Sequence, residues 1–357
     1  MTNVHPMPTP SAGWPQTTDG SIAARNLDAQ IEGLQADATS GYSTAEARLR
    51  LIDLLVLRGR VLGRIADYRG AEQLANRFVR KTGSAESFLG RARIHALFHR
   101  FPAALDDLNI AQALSIDRTT AEEERAAIFQ GLGRYDEALA LRQQAVARCA
   151  SFESLAALAG LYAERGEIET AQQLHVESQL RYRGVSPFPL ALLDFQFGQM
   201  WIHKGECKKA QNLLQLAVQR LPGYVPAQGH LAEVEAEIGD AEHAVARLYP
   251  LAMSSDDPDY VSQLARILRD LGRTEESQHW CRLAAEIYSS LLVEYPEAFA
   301  DHAAEFWLGP GANPHKALEL AQINFATRKT PRSHALLSRA LGANETLRSG
   351  IHGTDGL

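Results

Sequence analysis

Leu132-Gly133-Arg134-Tyr135-Asp136-Glu137-Ala138-Leu139 reads as the corner between two antiparallel helices. Gly133 suits the left-handed position that ends the first helix. Asp136 and Glu137 fall in the first turn of the second, where negative charge complements the helix dipole. Ala138 is small enough for the two helices to approach closely. Copies of this corner recur along most of the chain. The residues equivalent to Ala138 are Ala71, Ala104, Ala171, Ala210, Ala244, Ser277 and Ala317, so the steps are 33, 34, 33, 39, 34, 33 and 40 residues.

Other columns keep the same phase. Twelve residues before the anchor stand Gly59, Ala92, Ala126, Ala159, Gly198, Ala232, Ala265 and Glu305. All but Glu305 are small, as a close helix crossing requires, because a bulky residue there forces the pair apart. Five residues before it stand Ala66, His99, Gly133, Gly166, Gly205, Gly239, Gly272 and Ala312, a column that supplies the turn. Seven residues after it the side chains are mostly small or apolar and pack on the next unit.

A two-helix period of about 34 residues resembles the tetratricopeptide repeat. Leu155, Leu158, Ala159, Tyr162, Gly166 and Ala171 fit the family's ordered positions, as do Gly198, Trp201, Gly205, Ala210, Leu214, Ala217 and Pro222. The resemblance covers about residues 52–330. It implies an all-α fold, a right-handed α-solenoid of about eight helix-turn-helix repeats with capping helices. Two units depart from the pattern: Arg58 replaces a usual Leu in the first, and the last has Glu305 and the longer turn Gly309-Pro310-Gly311. End units of solenoids differ because one face meets water.

The expected organisation is a Pro-rich tail over residues 1–20, with Trp14 available to dock on the solenoid, and a capping helix over 21–45. Ser21 would cap that helix, with Ile22, Leu27, Ile31 and Leu34 on its buried stripe. The repeats occupy 46–332. A terminal helix over 333–348 follows, and 349–357 fray. Pro187 and Pro189 break the period before Ala210 and imply a longer loop there. Tyr295-Pro296 marks a second break.

Lys and Arg total 36 against 43 Asp and Glu, a net charge of −7, and nucleic-acid binders normally show the opposite balance. The three cysteines, Cys149, Cys207 and Cys281, form no CxxC pair and fit a reducing compartment. No apolar run approaches the roughly 20 residues that span a bilayer, so a cytoplasmic location is expected. No phosphate-binding loop, dinucleotide loop, HExxH or GxSxG occurs. The expectation is a non-enzymatic chain with no catalytic, cofactor or metal residues. Glu122-Glu123-Glu124-Arg125 reads as a solvated helix start.

In the resembled family the first helix of each unit lines a concave groove. By repeat phase the groove positions here are Arg60, Arg64 and Arg93, with Leu89 and Leu97. Glu123 and Glu164 follow, then Phe195, Gln199 and His203. Gln130, Glu153, Ile202, Glu237, Ser262 and His302 share this phase, and Glu233, Arg266, Arg269 and Phe306 complete the set. The band runs basic, acidic, partly aromatic, acidic, basic, which suits an extended peptide or helix of a protein partner, with Phe195 as an anchor. Family members that clamp a C-terminal carboxylate use Lys and Asn, but Val56, Arg60, Leu89, Arg93, Glu123 and Ala127 stand here, so that clamp is not expected. The resulting reading is a protein-interaction scaffold or adaptor. The alternative is an assembly or regulatory factor that delivers a metal or cofactor through His95 and His99, four residues apart, or controls a partner enzyme.

Overall fold

A computed structural model describes residues 15–40 and 43–352, and these hold 18 helices and no strand. The first, α1 (Gly20–Ser40), is followed by eight hairpins. Repeats 1 to 4 are α2/α3 (Ala45–Leu62, Ile65–Thr82), α4/α5 (Ala85–Leu97, Phe101–Ala113), α6/α7 (Arg118–Leu132, Tyr135–Arg148) and α8/α9 (Phe152–Arg165, Ile168–Arg181). Repeats 5 to 8 are α10/α11 (Phe188–His203, Cys207–Arg220), α12/α13 (Val225–Glu237, Ala241–Ser254), α14/α15 (Pro258–Asp270, Thr274–Glu294) and α16/α17 (Pro296–Leu308, Pro314–Thr327). The last helix is α18 (Pro331–His352). Residues 1–14 of the expected tail, including Trp14, lie outside the described residues, as do Gly41, Tyr42 and 353–357.

Small residues set the hairpins. Seven anchors from Ala71 to Ala317 are completely buried, and the eighth, Ser277, donates its hydroxyl to the Ala265 carbonyl at 2.7 Å. Ala265 belongs to the facing small-residue column, so this bond spans the crossing itself. A Cβ on Gly198 would come within 2.8 Å of Leu214 across the same gap. The corners at Gly133, Gly166, Gly205, Gly239 and Gly272 all take the left-handed conformation that Gly adopts without a Cβ penalty.

The end units depart from phase. In repeat 1 the left-handed residue is Gly63, three positions before the expected Ala66, and α3 starts six residues ahead of Ala71 instead of three. In repeat 8 the fully buried small residues are Ala303 and Ala304, and Glu305 faces the cavity and Arg339. The 40-residue step into this repeat is absorbed by α15, which runs 21 residues where α13 runs 14. Arg58 replaces a core Leu because it joins Asp28 of α1 (3.1 Å) to Asp67 of α3 (2.6 Å).

The capping helices differ from expectation in detail. Asp19, not Ser21, accepts the first amides of α1. Ile22 is exposed, and Ala23, Leu27 and Ile31 form the buried stripe. Thr330 caps α18, whose Leu336 and Ala340 enter the core, and the helix continues to His352 through residues expected to fray.

Successive superhelical turns touch. The corner of repeat 1 rests on the link between repeats 6 and 7: Asp256 accepts the amides of Ile65 (2.6 Å) and Ala66 (2.8 Å), and Ser255 donates to the Gly63 carbonyl at 2.5 Å. Arg64, at the N-cap of α3, provides no side-chain cap, so a carboxylate about 190 residues away satisfies the helix start. The corner of repeat 2 rests on the next link. There Phe98 stacks on Tyr295 at 4.0 Å, Tyr295 donates to Glu72 at 2.8 Å, and the His99 ring donates to the Glu297 carbonyl at 3.0 Å. The corner of repeat 3 meets the link before α18, where Lys329 donates its amide to the Leu132 carbonyl at 3.1 Å. A Cβ on Gly133 would sit 2.4 Å from the Lys329 carbonyl.

His99 has φ +56° in a column otherwise rich in Gly. Its reach to Glu297 and its stacking on Phe101 account for the side chain there. Burial holds its pKa down at about 4, so the ring is neutral near pH 7.

Asp256→Ala should lower the unfolding free energy by about 1 kcal/mol, the usual worth of a helix N-cap. Hydrogen exchange should speed up selectively at Ile65 and Ala66. Unchanged exchange at both amides would show that the cross-turn cap contributes nothing.

Candidate functional site

The first helices of repeats 5 to 8 line a cavity of about 490 Å³. Helix α10 contributes Gln199, Ile202 and His203, and α12 contributes His230, Glu233 and Glu237. The opposite wall comes from α14 and α16, including Asp259, Arg266, His302 and Glu305. Arg332 and Arg339 of α18 complete it. The volume falls within the roughly 300–1,000 Å³ typical of ligand sites.

Most of the wall charges are already paired. Glu233 accepts from His230 at 2.7 Å and approaches Arg266 at 3.5 Å. Asp259 meets His302 at 2.6 Å and also accepts the Tyr288 hydroxyl at 2.5 Å. Glu305 pairs with Arg339. Two side chains have no partner of opposite charge within ion-pair distance among the described residues. One is Arg332. The other is Glu237, which accepts only the Cys207 thiol at 3.2 Å. Arg332 and His230 together push the His203 pKa down, though burial is the larger cause.

The Asp259 carboxylate, against partial burial of the ring, raises His302 to about 10, and Asp301 adds to the effect. The side chain is still 41% exposed, so solvent weakens this field.

The expected groove residues divide. Gln199, His203, Glu233 and Arg266 come together around the cavity. Phe306 touches it but is 1% exposed, packed between Tyr288 and Trp307, and belongs to the core. Phe195 is half-buried against Tyr224 (5.1 Å) and His230 (5.5 Å), outside the cavity wall. Arg93 is consumed between Asp53 (2.8 Å) and Glu124 (2.6 Å). Leu89 is core at 2% exposure. Arg64 sits at the α2–α3 corner. Arg60, Glu123, Glu164 and Arg269 are exposed and line no part of this cavity.

The sequence reading omitted His230, Asp259, Arg332 and Arg339. Arg332 and Arg339 lie on α18, beyond the last repeat, where repeat phase assigns no groove position. Asp259 lies in the first turn of α14, where an acid already has a structural explanation. The Glu122–Arg125 run is also more structural than expected. Glu122 is buried and bridges Arg118 and Arg148, and Glu124 binds Arg93. His95 faces Asp107 at 3.5 Å and His99 faces Glu297, so each has a structural partner.

Eight stacked helix pairs around a concave interior define an α-solenoid, and the fold is that of tetratricopeptide-repeat proteins. No family model matches the chain, and no curated protein matches it. Solved structures do. The human IFIT1 dimer with PPP-AAAA is similar at 17% identity and a TM-score of 0.55, over 87% of this chain and 73% of that one. A tetratricopeptide repeat protein from Parabacteroides merdae is similar at 14% identity and a TM-score of 0.44, over 74% and 93%. Kinesin light chain TPR-like repeats from Podosopora anserina are 22% identical at a TM-score of 0.42, over 48% of this chain and 95% of that one. Among the described residues no helix is long and apolar enough to cross a membrane.

For pH, the sign is set by His302. Its folded pKa lies above the ordinary 6.5, so its contribution to stability is complete below that value and is lost as pH rises through about 10. In an NMR titration the His302 ring should remain protonated at pH 8, and Asp259→Asn should lower its midpoint by more than about one unit. A midpoint near 6.5 in the unaltered protein would contradict the pairing.

Proposed function

We propose that the protein is a non-enzymatic, cytoplasmic interaction scaffold that holds a peptide segment of a partner protein inside the closed coil. The observation that carries this reading is the cavity, which is lined by successive first helices and carries several polar side chains. Such surfaces take extended or helical segments, with charge setting register and on-rate.

Human IFIT1 in the similar structures is a dimer with PPP-AAAA or m7Gppp-AAAA. A peptide is favoured here by the charges. Around the cavity Glu233, Glu237, Asp259 and Glu305 balance Arg266, Arg332, Arg339 and protonated His302, and the chain as a whole carries −7. Phosphate backbones need a basic excess. The metal-delivery reading has lost the two histidines that motivated it, since both have structural partners.

Photo-crosslinking residues at Gln199 and Ser262, inside the cavity, should trap partner peptides in cells. The same residue at Met253, on an exposed face, should trap few. Arg266→Glu should reduce the yield from the inner positions several-fold with the helical circular dichroism unchanged. Crosslinks arising only from Met253 would overturn the assignment.

A further inference from the structure

Ion-pair bookkeeping inside the cavity leaves two charges over. Glu233 is matched by His230 and Arg266, Asp259 by His302, and Glu305 by Arg339. Arg332, in the first turn of α18, has no acceptor within hydrogen-bond distance among the described residues. It is felt electrostatically by Asp301, His302 and His203. Asp301 is itself buried and already engaged by the His302 amide at 2.9 Å and by Arg328 at 3.6 Å. Glu237, at the end of α12, accepts only a thiol, a weak donor.

We propose that these two residues are the specificity elements of the cavity, and that the guest segment carries one acidic side chain for Arg332 and one basic side chain for Glu237. This rests on the peptide-holding reading above and names the chemistry of its guest. Three features support it. The two residues project from different helices, α18 and α12, into the same 490 Å³ space. The other charges of the wall neutralise one another, so an incoming guest meets a dipole and not a net charge. Arg332 also offers a planar fork of donors that a carboxylate matches in bidentate fashion. Both side chains are exposed, so a guest with only one sign of charge replaces water at one residue and leaves the other hydrated.

Four acetylated and amidated alanine-based pentapeptides test this: one with a single Glu, one with a single Lys, one with both, and one with neither. Binding to the full chain is read by NMR shift perturbation at low salt. The peptide with both charges should bind tightest, each charge adding about fivefold, a typical gain for a charge-assisted contact that is partly solvated. Arg332→Gln should erase the advantage of Glu and keep that of Lys. Glu237→Gln should do the reverse. Arg332→Glu should make the Lys peptide preferred over the Glu peptide. Arg60→Gln, outside the cavity, controls for general charge and should change nothing.

Equal binding of all four peptides, or variants that shift both preferences together, would overturn the assignment of these residues. In that case inner-position crosslinks to a partner would still support the scaffold reading. Absence of those crosslinks alongside charge-selective peptide binding would refute the scaffold reading alone.

Discussion

The carboxylate of Asp256 on the first amides of α3 is the contact on which the shape of the molecule turns. Stacked helix pairs by themselves specify only a coil of some pitch. Here each early corner lands on a late inter-repeat link: repeat 1 on the link after α13, repeat 2 on the link after α15, and repeat 3 on the link after α17. One apolar cluster runs across this seam, joining Leu27, Ile52 and Phe98 to Leu221, Tyr224 and Tyr295. Polar groups then fix the register, because buried backbone donors and acceptors must find partners and the seam supplies them. A repeat protein whose units normally touch only their neighbours thereby acquires contacts between residues about 190 to 225 apart.

Within the hairpins a second constraint repeats. Asp67 takes Arg58, Asp107 takes Arg91, Asp194 takes Arg220 and Glu235 takes Arg247, each an acid buried to at least 90% facing an arginine on the other helix of its pair. Removing one member would strand a buried charge, so these pairs hold each hairpin to one arrangement more than they add net stability. Charges spent in this way are unavailable to a ligand. The same holds for Arg93, pinned between Asp53 and Glu124. Of the many charged residues on the first helices, few are left to recognise anything.

The repeat corners were legible because they depend on local chemistry. A small residue where two helices cross, and a Gly where the chain reverses, are demanded by sterics at fixed spacing, and seven of the eight corners fall where the columns put them. The eighth shows what the columns lack. In repeat 1 Gly63 turns the chain three residues early, and the start of α3 is satisfied by Asp256, which no local pattern links to it. The cavity was half legible for the same reason. Repeat phase finds which positions face inward, and so reaches Gln199, Ile202, His203, Glu233, Glu237, Ser262, Arg266 and His302. It does not tell whether an inward charge is already paired, which removed Arg93. Nor does it tell whether an inward ring is swallowed by its neighbours, which removed Phe306. It also passes over α18, which packs against α16 and α17 and so brings Arg332 to the cavity.

Closure of the coil is therefore the central claim, and a distance across the seam measures it most directly. With the three native cysteines replaced, spin labels at exposed Ala66 and Ser254 sit on the two sides of the first seam contact. The account predicts a short, narrow distance distribution in dilute solution, preserved without any partner. A long or broad distribution would show a coil whose turns stand apart.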